Sequence, residues 1–316
     1  MVSCKKLLLI EFQLPALRPP SSQLQGRDPS LASEGRGAEV EVATGRPRGG
    51  AGEGVRGVMS WLANPIGRLV KAGVLKVLSS GPVPDHLAII MDGNRRYAKQ
   101  NRLGSAAAGH YRGFDKLREM LFWLLDVGIT NVSVYAFSID NFKRSDEEVG
   151  ALMSLALDKF RALLSDPDLI HRYEVKVLVT GDLSLVPRDV RAAAEELMEA
   201  TSGNNKCVLN ICFAYTGCYD IGCAVDRVAA RVAEGSLAPS DVDAAAVRDS
   251  LLTGGMPPVD LLLRTSGEKR LSDFLLWQCS RAHLAFIDTL WPDLSLWDVA
   301  GVLLDYQDTR WRQPCR

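Results

Sequence analysis

A dense group of polar residues follows a short apolar segment near residue 90. Residues 86–91 read "HLAIIM", and the five residues after them are Asp92, Gly93, Asn94, Arg95 and Arg96. Guanidinium groups match phosphate oxygens through paired hydrogen bonds, and a lone carboxylate can hold Mg²⁺ against the same phosphates. A glycine lets the backbone approach a ligand closely, and a helix starting here would direct its N–H groups at an anion. The segment therefore predicts an anion site that uses magnesium.

Two further polar groups follow apolar segments in the same way. "NVSVYAF" is followed by "SIDNFKRSDEE", and "VDLLLRT" is followed by "SGEKRLSDF". A surface arginine taken alone is usually just solvated, but in a parallel sheet the carboxyl ends of the strands share one edge, where ligands bind. The candidate rim then contains Asp92, Arg95, Arg96, Asn141, Arg144, Arg264, Arg270 and Ser272. Five arginines around one aspartate predict a diphosphate site.

The common nucleotide motifs do not explain this rim. A GxxxxGK[ST] sequence is absent, and "GEGVRG" at residues 52–57 has no preceding strand that would make it a dinucleotide fingerprint. The DDxxD metal motif of trans-type prenyl synthases is also absent. A diphosphate carried by something other than a nucleotide is therefore favoured.

Alternating segments predict the elements that position the rim. Strands are expected at "HLAIIM", "NVSVYAF", "EVKVLVTG", "CVLNICFAY", "VDLLLRT" and "HLAFI", with helices at 114–128, 146–164 and 187–203 between them. This alternation indicates an α/β fold with a central, mostly parallel six-stranded sheet flanked by helices. Gly203 is expected to cap the third helix. The first two helices are strongly apolar. Core packing is the simpler explanation, and the alternative is that they form the walls of a channel for an apolar ligand.

Composition limits the classes of function. The 316 residues are 47% hydrophobic with a formal net charge of −1, which indicates a globular protein and gives no argument for nucleic-acid binding. Cys207, Cys212, Cys218 and Cys223 cluster without a CxxC pair. They are expected to be reduced, with strand cysteines as small core residues, although a zinc site is an alternative.

The N-terminal part differs from the rest. Residues 17–57 contain few large apolar side chains. Residues 1–57 are therefore expected to form a disordered or poorly structured N-terminal extension. Residues 58–80 predict a basic amphipathic helix, with Leu69 and Val77 on its apolar side and Lys76 on the other. Such a helix could lie on an anionic membrane or pack on its own domain. A spanning helix is not expected.

Long motifs of the chain resemble those of the cis-prenyltransferase family. They are "MDGNRRYAKQ", "GHYRGFDKL", "VYAFSIDNFKRS" and "LLLRTSGEKRLSDFLLWQ", with "LWPD" further on. The likeness runs from about residue 58 to 306 and is strongest toward the catalytic subunits of eukaryotic dehydrodolichyl diphosphate synthases. It implies a catalytic domain at residues 81–316 with an apolar tunnel beside the sheet.

The resemblance also implies a reaction and roles for particular residues. Isopentenyl diphosphate would be condensed repeatedly, in cis configuration, onto farnesyl diphosphate to give a long-chain precursor of the dolichol used in protein glycosylation. The implied catalytic residues are Asp92, Asn94 and Asn141, with Asp92 as the ligand of Mg²⁺. The implied allylic diphosphate site comprises Gly93, Arg95, Arg96, His110 and Arg144. Isopentenyl diphosphate would be held by Arg264, Arg270 and Ser272.

Three departures from the family pattern affect what the resemblance implies. The bacterial homodimers carry a glutamate at the position of His283, so a second metal carboxylate is not expected here, and an arginine at that of Ala106, so one phosphate contact is missing. They also end in an RxG motif that completes the neighbouring active site, and "DTRWRQPCR" does not contain it. A Nogo-B-receptor-like subunit is therefore expected to supply RxG, at the cytosolic face of the endoplasmic reticulum membrane with peripheral contact. The alternatives are a short-chain or homomeric cis-prenyltransferase and a non-catalytic subunit of the same complex.

Overall fold

A single parallel sheet forms the centre of the protein, for which a computed structural model describes residues 65–312. The six strands are β1 His86–Ile90, β2 Asn131–Ser138, β3 Val175–Thr180, β4 Cys207–Tyr215, β5 Leu261–Arg264 and β6 His283–Phe286. They lie in the order β3–β4–β2–β1–β5–β6, and all five neighbouring pairs are parallel. The α/β fold and all six strands predicted from the sequence are confirmed.

Helices surround this sheet and separate its first five strands along the chain, whereas β5 and β6 are joined without a helix. The helices are α1 Pro65–Leu78, α2 Asn94–Gln100, α3 Ala106–Val127, α4 Asp146–Leu164, α5 Arg188–Ala200, α6 Gly217–Ala233, α7 Ala244–Ser250 and α8 Leu296–Arg312. The predicted helices at 114–128, 146–164 and 187–203 correspond to α3, α4 and α5. The expected cap at Gly203 is wrong, because α5 ends at Ala200 and Thr201 takes the cap position.

Both faces of the central strands are buried, which is why these strands are mostly apolar. In β1, Leu87 and Ile89 belong to the larger core, which the sheet shares with α1, α3, α4, α5 and α8. Ala88 and Ile90 belong to a smaller core on the other face. Successive side chains of a strand point to opposite faces, so β1 contributes to both cores in turn.

A chain of buried hydrogen bonds crosses four strands on the second face. Thr180 Oγ1 donates to Asn210 Oδ1 (2.6 Å), and Asn210 Nδ2 donates to Ser133 Oγ (3.1 Å). The Ser133 hydroxyl lies 2.8 Å from His86 Nε2, and His86 Nδ1 lies 2.8 Å from the carbonyl oxygen of Pro257. A carbonyl can only accept, so Nδ1 carries the hydrogen and Nε2 accepts from Ser133. Burial lowers the pKa of His86, which agrees with a neutral ring.

Helix α1 packs on the domain, with a contact face that only partly matches the predicted apolar side. Leu75 and Leu78 are buried in the larger core, and Gln307 of α8 donates from Nε2 to the Leu78 carbonyl at 2.7 Å. Leu69 and Val77 were expected on the apolar side, yet they are 74% and 64% exposed. Apolar positions occur on more than one side of this helix, so periodicity alone did not identify the side that packs. Residues 1–57, and the first residues of the helix predicted at 58–80, lie outside the described residues.

Candidate active site

The predicted rim residues surround one cavity of about 1020 Å³ at the carboxyl ends of the central strands. The loop after β1, the turn after β2 and the segment after β5 all contribute to its mouth, as expected for a parallel sheet. The predicted residues that line it are Asp92, Gly93, Asn94, Arg95, Arg96, His110, Asn141, Arg144, Arg264, Arg270 and Ser272. The structure therefore brings together all the residues chosen from the sequence.

An ion pair between β1 and β5 lies at the centre of the polar mouth. Arg264 Nη2 donates to Asp92 Oδ2 at 2.8 Å, and the Arg264 side chain is only 3% exposed. Arg264 Nη1 also donates to Ser272 Oγ (2.7 Å) and to the Arg270 carbonyl. Burial raises the pKa of the Asp92 carboxyl, but the hydrogen bond and the charge of Arg264 outweigh that effect and hold the pKa below its usual value. Asp92 is therefore ionised at neutral pH.

The backbone at Asp92 and Gly93 is fixed by residues far away in the sequence. The Asp92 carbonyl accepts from Thr265 Oγ1 (2.6 Å) and from the Trp291 N–H (3.0 Å). Gly93 has a φ of +108°, and an added Cβ would stand 3.0 Å from the Leu290 side chain. This left-handed position favours glycine, and it precedes the first turn of α2. The N–H groups of that turn therefore lie beside the ion pair, at the rim of the cavity.

Two glutamates that were not predicted as site residues bridge the arginines. Glu148 Oε1 lies 2.7 Å from Arg144 Nη1 and 3.7 Å from Arg95 Nη1. Carboxylates at such distances orient guanidinium groups. The sequence contained a signal, because Glu148 stands four residues after Arg144 on the first turn of α4.

Glu268 makes the second bridge, between two different segments of the mouth. Its Oε1 lies 3.5 Å from Arg96 Nη2, and its Oε2 contacts Arg270 Nη1. Arg96 Nη2 also donates to Ser266 Oγ at 2.7 Å. The segment after β5 is thus connected to α2 by side chains alone. No regular spacing in the sequence indicates this bridge.

The two asparagines of the predicted site are held differently. Asn141 Oδ1 accepts from the Ser138 N–H (3.1 Å) and thereby closes the turn that follows β2. Asn94 donates from Nδ2 to the Met91 carbonyl (3.2 Å), while its Oδ1 is buried without a partner. An added Cβ at Gly113 would stand 2.3 Å from that oxygen, so glycine is needed on α3 for Asn94 to fit.

Three buried polar atoms of side chains lack partners among the described residues, and all three belong to residues that line this cavity. They are Asn94 Oδ1, His110 Nε2 and Arg264 Nε. Buried polar atoms are nearly always paired, so their concentration at one place indicates a polar ligand. Burial, together with the positive charges of Arg144 and Arg95, lowers the pKa of His110 to about 4. His110 is therefore neutral at physiological pH.

The inner part of the cavity is apolar. Its walls are side chains of α3, α4 and the central strands, namely Phe114, Leu117, Val134, Phe137, Leu152, Leu155, Ala156, Phe160, Leu163, Ile211 and Phe213. Lys159 is the exception, with Nζ above the ring of Phe114 at 4.4 Å. Met120, Leu121 and Leu124 of α3 instead pack in the core. A polar mouth thus leads into an apolar interior that suits a hydrocarbon chain.

The donor set fits magnesium only together with a ligand that brings phosphate oxygens. Within residues 65–312, no three His, Cys, Asp or Glu side chains come together as a metal site, the four clustered cysteines included. Mg²⁺ is commonly held by one carboxylate plus substrate phosphates, and Asp92 supplies such a carboxylate. His283 does not line the cavity, because its Nε2 lies 2.9 Å from Asp305 Oδ2 of α8.

Comparisons with known proteins agree with this arrangement. A protein-family profile described as "Putative undecaprenyl diphosphate synthase" matches residues 90–313. The dehydrodolichyl diphosphate synthase complex subunit of Homo sapiens is 44% identical over 249 residues, which cover 79% of this chain and 74% of the relative. The corresponding subunit of Schizosaccharomyces pombe is 40% identical over 235 residues, covering 74% of this chain and 89% of the relative.

A third relative and a solved structure extend the comparison. The tritrans,polycis-undecaprenyl-diphosphate synthase (geranylgeranyl-diphosphate specific) of Thermococcus kodakarensis is 40% identical over 246 residues, covering 78% of this chain and 92% of its own. The crystal structure of lavandulyl diphosphate synthase from Lavandula x intermedia, in complex with dimethylallyl diphosphate, matches with a TM-score of 0.67 at 32% identity. That match covers 71% of this chain and 95% of the lavandulyl enzyme.

Proposed function

Because the chain belongs to the cis-prenyltransferase family, we propose that it condenses isopentenyl diphosphate repeatedly onto farnesyl diphosphate to give a long-chain dehydrodolichyl diphosphate. The observation that carries this proposal is the cavity itself. Its mouth holds five arginines around Asp92, while its interior is lined by aliphatic and aromatic side chains. Two diphosphates at the mouth and a growing hydrocarbon inside are the ligands that such a cavity suits.

The allylic half of the site would stabilise the leaving diphosphate. Arg95, Arg96 and Arg144, with the N–H groups that follow Gly93, lie where they can neutralise the charge that develops as the C1–O bond breaks. Charge stabilisation by preorganised groups is usually the largest contribution to catalysis in such sites. Asp92 would hold Mg²⁺, which when bound supplies further positive charge to the diphosphate. His110 is neutral and therefore adds no positive charge of its own.

The isopentenyl half would be formed by Arg264, Arg270 and Ser272. Arg264 and Ser272 already share a hydrogen bond of 2.7 Å, so their donors converge before any ligand arrives. The unpaired Nε of Arg264 is a further donor that a phosphate oxygen could accept from. Bringing the alkene beside the allylic C1 in a fixed orientation converts a reaction between two molecules into one within a complex.

A partner subunit and a membrane contact belong to the same proposal. The human and fission-yeast relatives are both named as subunits of a complex, which supports a heteromer with a Nogo-B-receptor-like subunit. Among residues 65–312, no helix combines the length and the apolar character needed to cross a bilayer. Helix α1 contains three basic residues and no acidic ones, and it exposes Leu69 and Val77.

This composition supports peripheral binding of α1 to the cytosolic face of the endoplasmic reticulum membrane. The full chain should therefore sediment with anionic vesicles, and Leu69→Asp should weaken that binding. The proposed catalytic domain spans residues 81–316. We propose no nucleic-acid partner for it.

The decisive experiment supplies radiolabelled isopentenyl diphosphate, farnesyl diphosphate and Mg²⁺, with and without the partner subunit, and sizes the products. Long cis products that depend on the partner would support the proposal. Short products, or full activity of the chain alone, would favour a short-chain or homomeric enzyme. A chain without activity in any combination would be a non-catalytic subunit.

A substitution of the proposed magnesium ligand tests the site within the same assay. Asp92→Ala should lower turnover by at least about 10²-fold, as for the loss of one electrostatic stabiliser. Asp243→Ala is a matched control, because this exposed carboxylate caps α7 outside the cavity. Near-normal turnover of Asp92→Ala would refute the assigned role.

A further inference from the structure

The loop that carries Ser272 has an unusual backbone. Ser272, Asp273 and Leu275 have φ values of +51°, +58° and +45°, so three of four consecutive residues are left-handed without a glycine among them. Side chains other than glycine rarely adopt this conformation, and it persists only where the surroundings enforce it. Some other part of the protein must therefore hold this loop in place.

The N-terminus of α6 holds one side of the loop through Asp273. The Gly217 N–H donates to the Asp273 carbonyl at 2.6 Å, and the Cys218 N–H donates to Asp273 Oδ1 at 2.9 Å. The first N–H groups of a helix have no partners within the helix, and a carboxylate is favoured at that end of the helix dipole. Asp273 thus satisfies two of these groups at once.

The N-terminus of α6 and the loop that carries Asp273 are packed too closely for a side chain at residue 217. An added Cβ at Gly217 would stand 2.9 Å from Leu276 and 3.1 Å from Asp273 Oδ1. The helix can approach the loop this closely because residue 217 has no side chain. The distance between α6 and Asp273 is therefore determined by backbone packing.

Aromatic packing holds the other side of the loop. Phe274 is fully buried and stacks on Tyr135 of β2, with ring centroids 4.5 Å apart and an angle of 13° between the rings. Tyr135 Oη also lies within hydrogen-bond distance of the Ser272 carbonyl, at 3.3 Å. The loop is thus fixed by β2 on one side and by α6 on the other.

We propose that Asp273 is a positioning residue that holds Ser272 and Arg270 for isopentenyl diphosphate, by fastening their loop to the N-terminus of α6. This inference rests on the proposed function, because it assumes that this loop binds the second substrate. Asp273 acts through its neighbours: Ser272 Oγ and the Arg270 carbonyl both accept from Arg264, whose direction they set.

The inference predicts an effect on one substrate alone. Loss of the Asp273 carboxylate frees the loop to leave its left-handed conformation, which displaces the Ser272 hydroxyl. The arginines Arg95 and Arg144 of the allylic half are held by Glu148 of α4 rather than by this loop, so they stay in place. The backbone of Asp92 is likewise held from outside the loop, by Thr265 and Trp291. Asp273→Ala should therefore raise the KM for isopentenyl diphosphate by about tenfold or more and leave the KM for farnesyl diphosphate unchanged.

A conservative variant and a matched control separate positioning from general loss of structure. Asp273→Asn keeps an oxygen acceptor for the Cys218 N–H and tolerates the left-handed conformation, so it should restore KM to within about threefold of the parent. Asp243→Ala removes an equivalent carboxylate cap from α7, where Oδ1 accepts from the Ala246 N–H at 2.8 Å. This control should change neither KM.

Binding should be measured as well as turnover, so that failure of this inference differs from failure of the proposed function. Calorimetric titration of the full chain, in its complex with the partner and with Mg²⁺ present, uses isopentenyl diphosphate and farnesyl diphosphate in separate experiments. If the parent protein binds neither substrate, the proposed function is wrong. If it binds both and Asp273→Ala binds isopentenyl diphosphate equally well, the positioning role is wrong. The role is also wrong if Asp273→Asn is as impaired as Asp273→Ala in a protein of unchanged thermal stability.

Discussion

Arginine at position 264 should not be replaceable by lysine, although the charge would be the same. Arg264 uses two nitrogens to reach three acceptors on two segments: Asp92 Oδ2 after β1, and Ser272 Oγ and the Arg270 carbonyl on the loop after β5. A planar guanidinium can do this because its donors diverge from one rigid group, whereas a lysine ammonium is a single point of charge. Lysine at 264 would keep the contact with the aspartate and lose the other two.

The size of the effect follows from these contacts. A hydrogen bond that involves a charged group contributes about 1.5–3 kcal/mol, so two lost contacts amount to about 3–6 kcal/mol before any relaxation. Partial recovery through water should leave a loss near the lower end. A loss of about 3 kcal/mol corresponds to a fall of about 10²-fold in kcat/KM for isopentenyl diphosphate.

Steady-state kinetics with each substrate varied in turn would test this expectation for Arg264→Lys. Arg191→Lys is the matched control, because Arg191 forms only an exposed pair with Glu195 on the surface of α5. Thermal unfolding of both variants would show whether the fold is kept. A value of kcat/KM within threefold of the parent for Arg264→Lys would refute the argument that the divergent donors of arginine are required.

Three other changes have definite expected outcomes. Asp220 is 1% exposed and accepts hydrogen bonds from three donors, so Asp220→Ala should lower the free energy of unfolding by about 3–5 kcal/mol in urea titrations; a loss below about 1 kcal/mol would contradict this. The pKa of His110 is about 4 in the folded protein against 6.5 ordinarily, so the unfolded chain binds the proton first and stability falls as the pH drops from 6.5 toward 4. This contribution is about 3 kcal/mol, and His110→Gln should lack it when unfolding is compared at pH 7 and pH 4; an unchanged difference between the two pH values would refute the assignment. Gly113→Ala would place a Cβ 2.3 Å from Asn94 Oδ1 and 2.8 Å from the buried Trp291 ring, so turnover should fall at least tenfold and the melting temperature should fall as well; unchanged turnover would show that this asparagine is dispensable.

Much of the fold was predictable because local pattern and tertiary role agree. The strands are mostly apolar, since both faces of the central part of a parallel sheet are covered, and "HLAIIM" carries that signal clearly. The site residues were predictable for a related reason, because strands that run in one direction deliver the residues after them to one edge. The order of the strands was not predictable, since it depends on pairings between distant segments.

Features that depend on close contacts between distant segments were also missed. Glu268 contacts Arg270, which is 2 residues away in the sequence, and Arg96, which is 172 residues away. Periodicity in the sequence does not indicate the second contact. The exposed positions of Leu69 and Val77 follow from where α1 meets α8, which depends on packing between the two ends of the domain. The left-handed loop at 272–275 contains no glycine, so its conformation had no signal in the sequence.

The buried chain of hydrogen bonds from Thr180 to His86 has a consequence for folding accuracy. If β2 slipped by one residue against its neighbours, Ser133 would turn to the opposite face of the sheet. The imidazole of His86 and the amide of Asn210 would then lose their shared partner inside the core, at about 1–3 kcal/mol for each unsatisfied group. Apolar strands slide over one another with little preference, whereas these four polar residues satisfy each other in one alignment. These hydrogen bonds therefore disfavour sheets in which the strands are misaligned. Correct alignment keeps the carboxyl ends of the strands side by side, which places the site residues after them at one edge of the sheet.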